Sequence, residues 1–296
     1  MINILLSTDD NYVMPTGVLM TSICENTKSK ITFYIMTNAD FKDESKAALK
    51  RNIVMYNQKI VFIPVEASVT KDFPFGRPDQ PKHVSIATYY RLLITKLLPE
   101  DIDKIIYLDG DMIVMDDIEK YFNEDIEGYA VGAVIDQDME ENVKNERLGY
   151  PKEEGYFNAG SLLINLKYWR DHHVYSKFIK VIHEKADIII YHDQDVLNYT
   201  FHNQKRWISP RYNVQTSFLV AKKISQYSED VISAIKNPLV IHFCMSGLKP
   251  WMIRCDNPFT KIWLYYKHLS IWSNEPLLDN ISGSFKNIIR MFLIKH

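Results

Sequence analysis

Short apolar runs alternate with segments of helical periodicity along the first two thirds of the chain. Runs rich in β-branched and aromatic residues predict buried strands, whereas apolar positions three or four residues apart predict helices. Strands are predicted at residues 2–7, 31–36, 60–65, 105–108, 130–135, 161–166 and 239–241. Helices are predicted at residues 17–23, 43–56, 85–98 and 196–201.

A few side chains mark where these elements begin and end. We expect the first helix to end near Asn26 and the second to begin with Asp43 as its N-cap. Pro99 ends the third helix, because proline lacks the backbone N–H that a helix needs. Residues 71–82 contain several prolines and one glycine and predict a loop.

Strands that alternate with helices predict an α/β fold, in which a mainly parallel sheet is covered by helices. Ligands of such sheets bind at the carboxyl ends of the strands. The sequence contains no internal repeat, low-complexity tract or Gly/Ser linker. We therefore predict one large domain over residues 1–255 and a small helical appendage over residues 256–296.

Composition narrows the class of protein. Of the 296 residues, 46% are hydrophobic and 24% charged, as in globular proteins with a large core. The formal net charge of −2 excludes a general basic field that would collect nucleic acid. The three cysteines are too few for a disulfide framework and lack paired zinc spacing. Without a signal-peptide pattern or a run of about 18 apolar residues, a cytoplasmic location is expected.

The last residues of the chain have a helical pattern of their own. Apolar side chains between residues 285 and 293 follow helical spacing, and Lys286, Arg290 and Lys295 add positive charge. A short basic amphipathic helix can lie on an anionic membrane, here the inner face. A terminal helix of this kind can equally dock its apolar face on the domain. Both interpretations remain open.

Asp109 and Asp111 flank Gly110 directly after the apolar run that ends at Leu108. In an extended chain, residues two apart point the same way, so the two carboxylates would face one site. Such hard oxygen ligands suit Mg²⁺, Mn²⁺ or Ca²⁺. Because the same triplet is common in solvated turns, a metal site and a turn are both compatible with it.

Other polar clusters follow predicted strands. The first strand ends in Ser7-Thr-Asp-Asp-Asn-Tyr12, more polar groups than a helix cap requires, and an aromatic there could stack on a base. No Gly-x-Gly-x-x-Gly or Walker loop is present, which argues against a dehydrogenase or a P-loop enzyme. Bound phosphates would then need a metal with Lys or Arg. Asn158, in a glycine-containing segment, could donate to a sugar hydroxyl.

Two later segments have structural and functional interpretations. The acidic residues of Tyr191-His-Asp-Gln-Asp195 could belong to a site or simply stabilise a helix N-terminus. His242 follows a predicted strand and precedes Gly247 and Lys249, which would suit a pyrophosphate. Trp251 is a possible wall of the site, although most aromatic residues are expected in the core.

Taken in order, these motifs resemble the retaining glycosyltransferases of family 8, which include bacterial lipopolysaccharide and lipooligosaccharide galactosyl- and glucosyltransferases and glycogenin. The similarity extends from the first strand to Trp251. The matching segments are residues 7–12, 83–91, 107–111, 156–170, 193–198 and 242–251. The resemblance implies a GT-A fold, with a Rossmann-like nucleotide-binding half fused to an acceptor half. It also implies a UDP-sugar donor and Mn²⁺, with Mg²⁺ as an alternative.

The resemblance also implies roles for single residues. The metal ligands would be Asp109, Asp111 and His242. The uridine would contact Ser7, Asp9, Asn11 and Tyr12, with Tyr12 stacked on uracil. The pyrophosphate would contact Gly247 and Lys249. The donor sugar would be surrounded by Arg91, Asp136, Asn158, Ala159, Asp193 and Gln194.

The spacing from His242 to Lys249 departs from the family pattern. It is seven residues here, where family members usually have six, so the turn must accommodate an extra residue. Retention by double displacement would need a carboxylate nucleophile, but the implied position holds Gln194, an amide. We therefore favour same-face attack, with the Gln194 carbonyl stabilising positive charge and Asp193 fixing sugar hydroxyls. Asp195 is the fallback nucleophile.

The sequence thus predicts a hexosyltransferase that moves glucose or galactose from a UDP-sugar to a glycan or glycolipid of the cell envelope. Two alternatives are compatible with the same donor site. One is a non-catalytic nucleotide-sugar or glycan-binding module, and the other is a UDP-sugar hydrolase that uses water as acceptor. The presence of Asp109, Asp111 and His242 argues against the binding module, because a protein without catalytic activity would have no need to keep all three residues.

Overall fold

The computed structural model of the protein describes residues 1–278 apart from residues 72, 79, 81–84, 137–140 and 220–226, and only the backbone of residues 141–144. The predicted amphipathic helix at residues 285–293 therefore lies outside the described residues. So does His83, the first residue of one segment that carries the family resemblance.

Ten strands form two sheets in the described part of the chain. In chain order they are β1 (Ile2–Ser7), β2 (Ile31–Asn38), β3 (Lys59–Val65), β4 (Lys104–Leu108), β5 (Met112–Val114), β6 (Val131–Ile135), β7 (Phe157–Asn165), β8 (Lys205–Trp207), β9 (Val214–Gln215) and β10 (Val240–His242). The large sheet has the order β3-β2-β1-β4-β7-β6-β8, and the small one the order β5-β10-β9.

The large sheet is mainly parallel, as the alternating pattern predicts. The four strands from β3 to β4 run parallel, and β8 runs parallel to β6. Only β7 is reversed, and it pairs antiparallel with both β4 and β6. The carboxyl ends of β1, β4 and β6 therefore meet at one edge of the sheet.

Eleven α-helices are described: α1 (Val13–Asn26), α2 (Asp43–Ile53), α3 (Ala67–Thr70), α4 (Ile94–Leu97), α5 (Glu119–Phe122), α6 (Glu141–Leu148), α7 (Leu166–Asp171), α8 (Val174–Glu184), α9 (His192–Phe201), α10 (Glu229–Lys236) and α11 (Thr260–Leu269). None of them is long and apolar enough to cross a membrane.

Several helix boundaries differ from the predicted ones, among them the start of α9, which is His192 and not residue 196. α1 begins four residues earlier than expected, because residues 13–24 are buried on all sides and the sequence shows no amphipathic boundary there. The N-cap of α2 is Lys42, so Asp43 lies in the first turn. Residues 85–98 form a 3₁₀ helix, Ile86–Leu93, followed by the single turn α4.

The sheet separates two apolar cores. One contains the helix α1 and the small sheet, and the other contains α8 and α9. Trp263 of α11 and Trp272 belong to the first core. The Trp272 ring covers Gly17, where a Cβ would lie 2.0 Å from it. Residues 260–272 are thus packed on α1, and the predicted boundary at residue 255 remains a prediction.

Candidate active site

Three side chains that can bind a metal ion converge beyond the carboxyl end of β4. Asp109 follows β4, Asp111 precedes β5, and His242 is the last residue of β10. The antiparallel pairing of β10 with β5 puts His242 opposite Met112. One ligand atom from each of the three side chains lies within 4.8 Å of the other two.

The chain between the two aspartates is not the extended segment expected from the sequence. Gly110 and Asp111 form a turn that joins β4 to β5, so strand alternation does not aim the carboxylates. The turn is closely packed: a Cβ at Gly110 would lie 2.9 Å from Thr16 Oγ1 and 3.1 Å from Tyr12 Cδ1. Contact with the start of α1 therefore fixes the turn, and the turn brings the aspartates together.

Asp111 is buried, and its two carboxylate oxygens have different partners. Its Oδ1 lies 3.3 Å from His242 Nε2, and its Oδ2 accepts a hydrogen bond of 2.5 Å from Lys249 Nζ. Burial raises the pKa of Asp111, but Lys249 and His242 lower it by more, so the pKa lies below its ordinary value. Asp111 is therefore ionised at neutral pH, as a metal ligand must be.

Gly160 of β7 leaves the space in which the three ligands meet. A Cβ at this position would lie 2.4 Å from His242 Cε1 and 2.8 Å from Asp109 Oδ2, closer than unbonded atoms come. Opposite ligands in an octahedral shell stand about 4 Å apart. Two carboxylates and an imidazole within 4.8 Å of one another therefore fit a divalent cation. The imidazole favours a transition metal over Ca²⁺.

Arg91 is a buried guanidinium that links two acidic side chains of the site. Its Nη2 donates to Asp109 Oδ1 at 2.7 Å, and its Nε lies 2.9 Å from Asp193 Oδ2. Its Nη1 donates to the Ala159 carbonyl, and its plane covers the Tyr107 ring at 3.9 Å. Burial by itself would lower the pKa of Arg91, but the two aspartates raise it above the ordinary value. Arg91 therefore holds the carboxylate of Asp109 in place.

Gln194 is fixed in one orientation by two opposite hydrogen bonds. Its Oε1 accepts from the Ala159 N–H at 2.9 Å, and its Nε2 donates to Asp136 Oδ2 at 2.9 Å. The Ala159 N–H is available because the pairing of β7 with β6 is irregular between residues 157 and 162. Since a backbone N–H donates and a carboxylate accepts, the amide cannot turn over without losing both bonds.

Asp193 is buried in the first turn of α9. Its Oδ1 accepts a hydrogen bond from the Thr88 hydroxyl, and Arg91 contacts its Oδ2. Thr88 and Arg91 both reach it because residues three apart are eclipsed in a 3₁₀ helix. Burial raises the pKa of Asp193 to about 6, although Arg91 and Thr88 counter part of this rise.

Asp195 is fully buried, and both of its oxygens are engaged. Oδ1 accepts a hydrogen bond from the Tyr156 hydroxyl at 2.8 Å. The Arg147 guanidinium donates one hydrogen bond to each carboxylate oxygen, both at 2.9 Å. Oδ2 also accepts from the backbone N–H groups of Ile190 and Tyr191, each at 2.7 Å. These bonds anchor the segment that enters α9, which is a structural role for this carboxylate.

The polar residues after β1 lie at the same edge of the sheet. Asp9 Oδ1 accepts from the N–H of Asn11, which is exposed, at 2.9 Å. Ser7 Oγ is buried and has no hydrogen-bond partner among the described residues. Tyr12 is the N-cap residue of α1, and its ring meets Trp251 edge-on at 5.3 Å. Trp251 thus supports the Tyr12 ring, which packs against Gly110 between the two aspartates.

The segment between residues 242 and 249 contains a turn, closed by a backbone hydrogen bond of 3.2 Å between residues 248 and 245. Gly247 is exposed, and a Cβ there would meet no atom of the described residues within 4 Å. Lys249 is buried, and its Nζ also donates to the Phe243 carbonyl at 2.7 Å. The fold therefore brings Lys249 to the metal ligands but gives Gly247 no contact with them.

Four residues of the site were not singled out from the sequence: Thr88, Tyr107, Gly160 and Asn213. Tyr107 donates its hydroxyl hydrogen to Asp109 Oδ1 at 2.7 Å. Thr88, Tyr107 and Gly160 lie in segments that carry the family resemblance, so that resemblance could have indicated them. Asn213, which contacts His242 and Asn158, lies in none of these segments.

Comparisons with known proteins agree with this architecture. The profile of the family "Glycosyl transferase family 8" matches residues 3–255. A putative glycosyltransferase of Haemophilus influenzae is 33% identical over 86% of this chain and 74% of its own length. The lipopolysaccharide 1,3-galactosyltransferase of Salmonella typhimurium is 26% identical over 95% of this chain and 82% of its own.

Among solved structures, the galactosyltransferase LgtC in complex with donor and acceptor sugar analogues superposes with a TM-score of 0.79. It is 27% identical in sequence, and the match covers 91% of this chain and 96% of that one. The α/β architecture of the GT-A type that the sequence predicts is therefore confirmed. Since the family profile matches most of the chain, this protein belongs to glycosyl transferase family 8.

Proposed function

We propose that this chain is a retaining hexosyltransferase that moves glucose or galactose from a UDP-sugar to a glycan or glycolipid of the cell envelope. The observation that carries the proposal is the convergence of Asp109, Asp111 and His242 within 4.8 Å, beside a wall of polar side chains. The similarity to a lipopolysaccharide galactosyltransferase supports an envelope acceptor. We propose Mn²⁺ as the ion, with Mg²⁺ as the alternative.

The departing UDP is an anion, and we propose that a bound cation and Lys249 offset its negative charge. A divalent cation, when bound, would stabilise the charge that develops on the pyrophosphate. Lys249 adds a second positive charge next to Asp111, at 2.5 Å from its Oδ2. We propose that Lys249 and Gly247 contact the pyrophosphate, and that Ser7, Asp9, Asn11 and Tyr12 contact the uridine.

The donor sugar is proposed to lie between Gln194 and Arg91. Gln194 Oε1 uses one lone pair for the Ala159 N–H and can direct the other at a sugar carbon that becomes positive. No nucleophile is proposed at Asp195, because Arg147 and Tyr156 already occupy its oxygens. These contacts support same-face attack by the acceptor. Asp193, with Asp136, Asn158 and Ala159, completes the proposed sugar contacts.

Product analysis tests the reaction class. A UDP-hexose labelled with ¹³C at the anomeric carbon is incubated with Mn²⁺, with and without an envelope glycan acceptor, and followed by NMR. We expect a new α-linked product that requires both acceptor and Asp111, so the Asp111→Asn variant is the control. Free hexose formed equally without acceptor would identify a hydrolase. No donor consumption under any condition would identify a binding module.

Donor binding should depend on pH through Asp193. Because its pKa is raised to about 6, its charge and the ion pair with Arg91 are lost as the pH falls through that value. We expect Thr88→Val to move this loss to higher pH, because the Thr88 hydrogen bond stabilises the charged form. Calorimetric titration of the UDP-hexose from about pH 5 to 8 measures the shift.

Thr88→Ser keeps the hydroxyl and is the control for that experiment. Coincident pH profiles of native protein and Thr88→Val would contradict the role given to this hydrogen bond. The effect of Asp193 on folding stability runs the other way from its effect on donor binding. Asp193 stabilises the fold most below pH 3.8, and this contribution is lost as the pH rises through about 6.

The proposed role of the C-terminal tail concerns residues outside the described part of the chain. We propose that its basic amphipathic pattern holds the enzyme near a lipid-linked acceptor on the inner face of the membrane. The positive charges and the helical spacing of the apolar residues support this proposal.

A further inference from the structure

Asn213 is the side chain that contacts the imidazole of His242 from behind. It is completely buried, directly precedes β9, and has its Oδ1 3.1 Å from His242 Nδ1. An imidazole can present either a donor or an acceptor at this nitrogen, and an amide can present either an oxygen or an NH₂ group. The contact by itself therefore leaves two arrangements of protons.

The neighbours of Asn213 decide between these arrangements. Its Nδ2 donates to Asn158 Oδ1 at 2.9 Å, and the same oxygen accepts from the backbone N–H of Gly160 at 3.0 Å. A backbone N–H can only donate, so Asn158 must present its oxygen there. Asn213 must then present its NH₂ group to Asn158 and its oxygen to His242. The proton on the imidazole consequently lies on Nδ1.

We infer that Asn158 and Asn213 form a relay that fixes the tautomer of His242, from the Gly160 N–H to the Nδ1–H. The relay leaves the lone pair of Nε2 for a ligand. That nitrogen faces Asp111 Oδ1 at 3.3 Å, so the two atoms share a proton while no cation is bound and can bind one cation together once that proton is displaced. A cation satisfies both atoms at once. This inference rests on the cation site of the proposed function and makes Asn213 a positioning residue for it.

The relay also gives Asn158 a second role beside the proposed sugar contact. If Asn158 served the sugar alone, its removal would leave cation binding intact while no sugar is present. As a member of the relay, Asn158 supports the acceptor oxygen of Asn213 even in the absence of sugar. Cation binding in the presence of UDP alone therefore separates the two roles.

The tautomer can be measured directly in the metal-free protein. Two-bond ¹H–¹⁵N correlation spectra of ¹⁵N-histidine-labelled protein distinguish a protonated Nδ1 from a protonated Nε2. The difference from His242→Gln assigns the signals among the nine histidines. We expect Nδ1 of His242 to carry a proton in the native chain and this preference to be lost in Asn213→Ala. A native His242 protonated on Nε2 alone would overturn the relay, whether or not a metal binds.

Cation affinity gives a second readout, independent of transfer activity. The EPR signal of free Mn²⁺ is titrated with protein in the presence of UDP, without sugar. Because partners of metal-bound histidines are worth about 10- to 100-fold in affinity, we expect losses of this size in Asn213→Ala and smaller ones in Asn158→Ala. The double variant should lose little more than Asn213→Ala, since both changes interrupt one chain.

Thr216→Val is the matched control. Thr216 is as buried as Asn213, but its hydroxyl donates to the backbone carbonyl of His242 at 3.2 Å and not to the ring. It should keep both the tautomer and the Mn²⁺ affinity. Equal affinities of native protein and Asn213→Ala would overturn the inference. A native protein with the Nδ1–H form but no Mn²⁺ binding would instead overturn the proposed cation site and leave the relay standing.

Discussion

Gly160→Ala is expected to abolish cation binding and reduce transfer by about 10³-fold or more, because several kcal/mol of charge stabilisation depend on the ion. The added Cβ would lie 2.4 Å from His242 Cε1 and 2.8 Å from Asp109 Oδ2. Neither neighbour can retreat easily. Asp109 is held by Arg91 and Tyr107, and the His242 ring is held by Asn213. The Mn²⁺ EPR titration and kcat/KM measure the loss.

Gly132→Ala is the control for this prediction. Gly132 lies on β6 next to β7, and an added Cβ would meet side-chain atoms, the nearest being Ile126 Cγ2 at 2.9 Å. Such crowding costs about 1–3 kcal/mol of stability but leaves the ligands untouched. We therefore expect a less stable protein with native Mn²⁺ affinity. Native Mn²⁺ binding by Gly160→Ala would contradict the ligand geometry.

Among the substitutions discussed, we expect Arg91→Met to lower the free energy of unfolding most. Arg91 and Asp193 are both buried, and the guanidinium also contacts Asp109. Removing one member of a buried ion pair typically costs about 3–5 kcal/mol, because the remaining charge is left without a partner. Equilibrium unfolding in urea measures this loss. We expect Arg91→Lys to fold better but to lose transfer activity, since an ammonium cannot make the same separate contacts.

Arg211→Met is the matched control for that experiment. Arg211 is likewise paired with an aspartate, Asp116, at 2.8 Å, but both of these side chains are about a third exposed. Exposed pairs contribute about 0–1 kcal/mol, so this variant should unfold close to the native protein. If Arg91→Met unfolded at the same urea concentration as Arg211→Met, the central position given to Arg91 would be wrong.

The sequence predicts six of the seven strands of the large sheet because these six are apolar runs, whereas β8 (Lys205–Trp207) is polar and is missed. It also indicates where β4 ends and that two carboxylates follow it. The reversal of β7 is not visible, because nothing in its residues shows that it inserts between β4 and β6. The strand predicted at residues 161–166 begins earlier, at Phe157, and its irregular pairing frees the Ala159 N–H for Gln194. The pairing of β7 with β4 and β6 determines where this strand begins, and the residues of β7 alone do not show it.

The sequence predicts which residues belong to the site better than it predicts which atoms those residues contact. Family resemblance brings Asp109, Asp111 and His242 into one set, and the structure brings their ligand atoms together. The resemblance assigns Arg91 to the donor sugar, which stays a prediction, and the structure adds hydrogen bonds from Arg91 to Asp109 and the Ala159 carbonyl. Buried polar residues such as Asn213 carry no periodic signal, because their partners come from distant segments.

The most direct test of the central claim is a calorimetric donor screen. UDP-glucose, UDP-galactose and UDP-N-acetylglucosamine are titrated into the native protein and into Asp111→Asn, each with Mn²⁺ and with EDTA. We predict that one UDP-hexose binds the native protein with Mn²⁺, and that EDTA or the substitution abolishes this binding. Failure of every UDP-sugar to bind the folded native protein would contradict the proposed donor site.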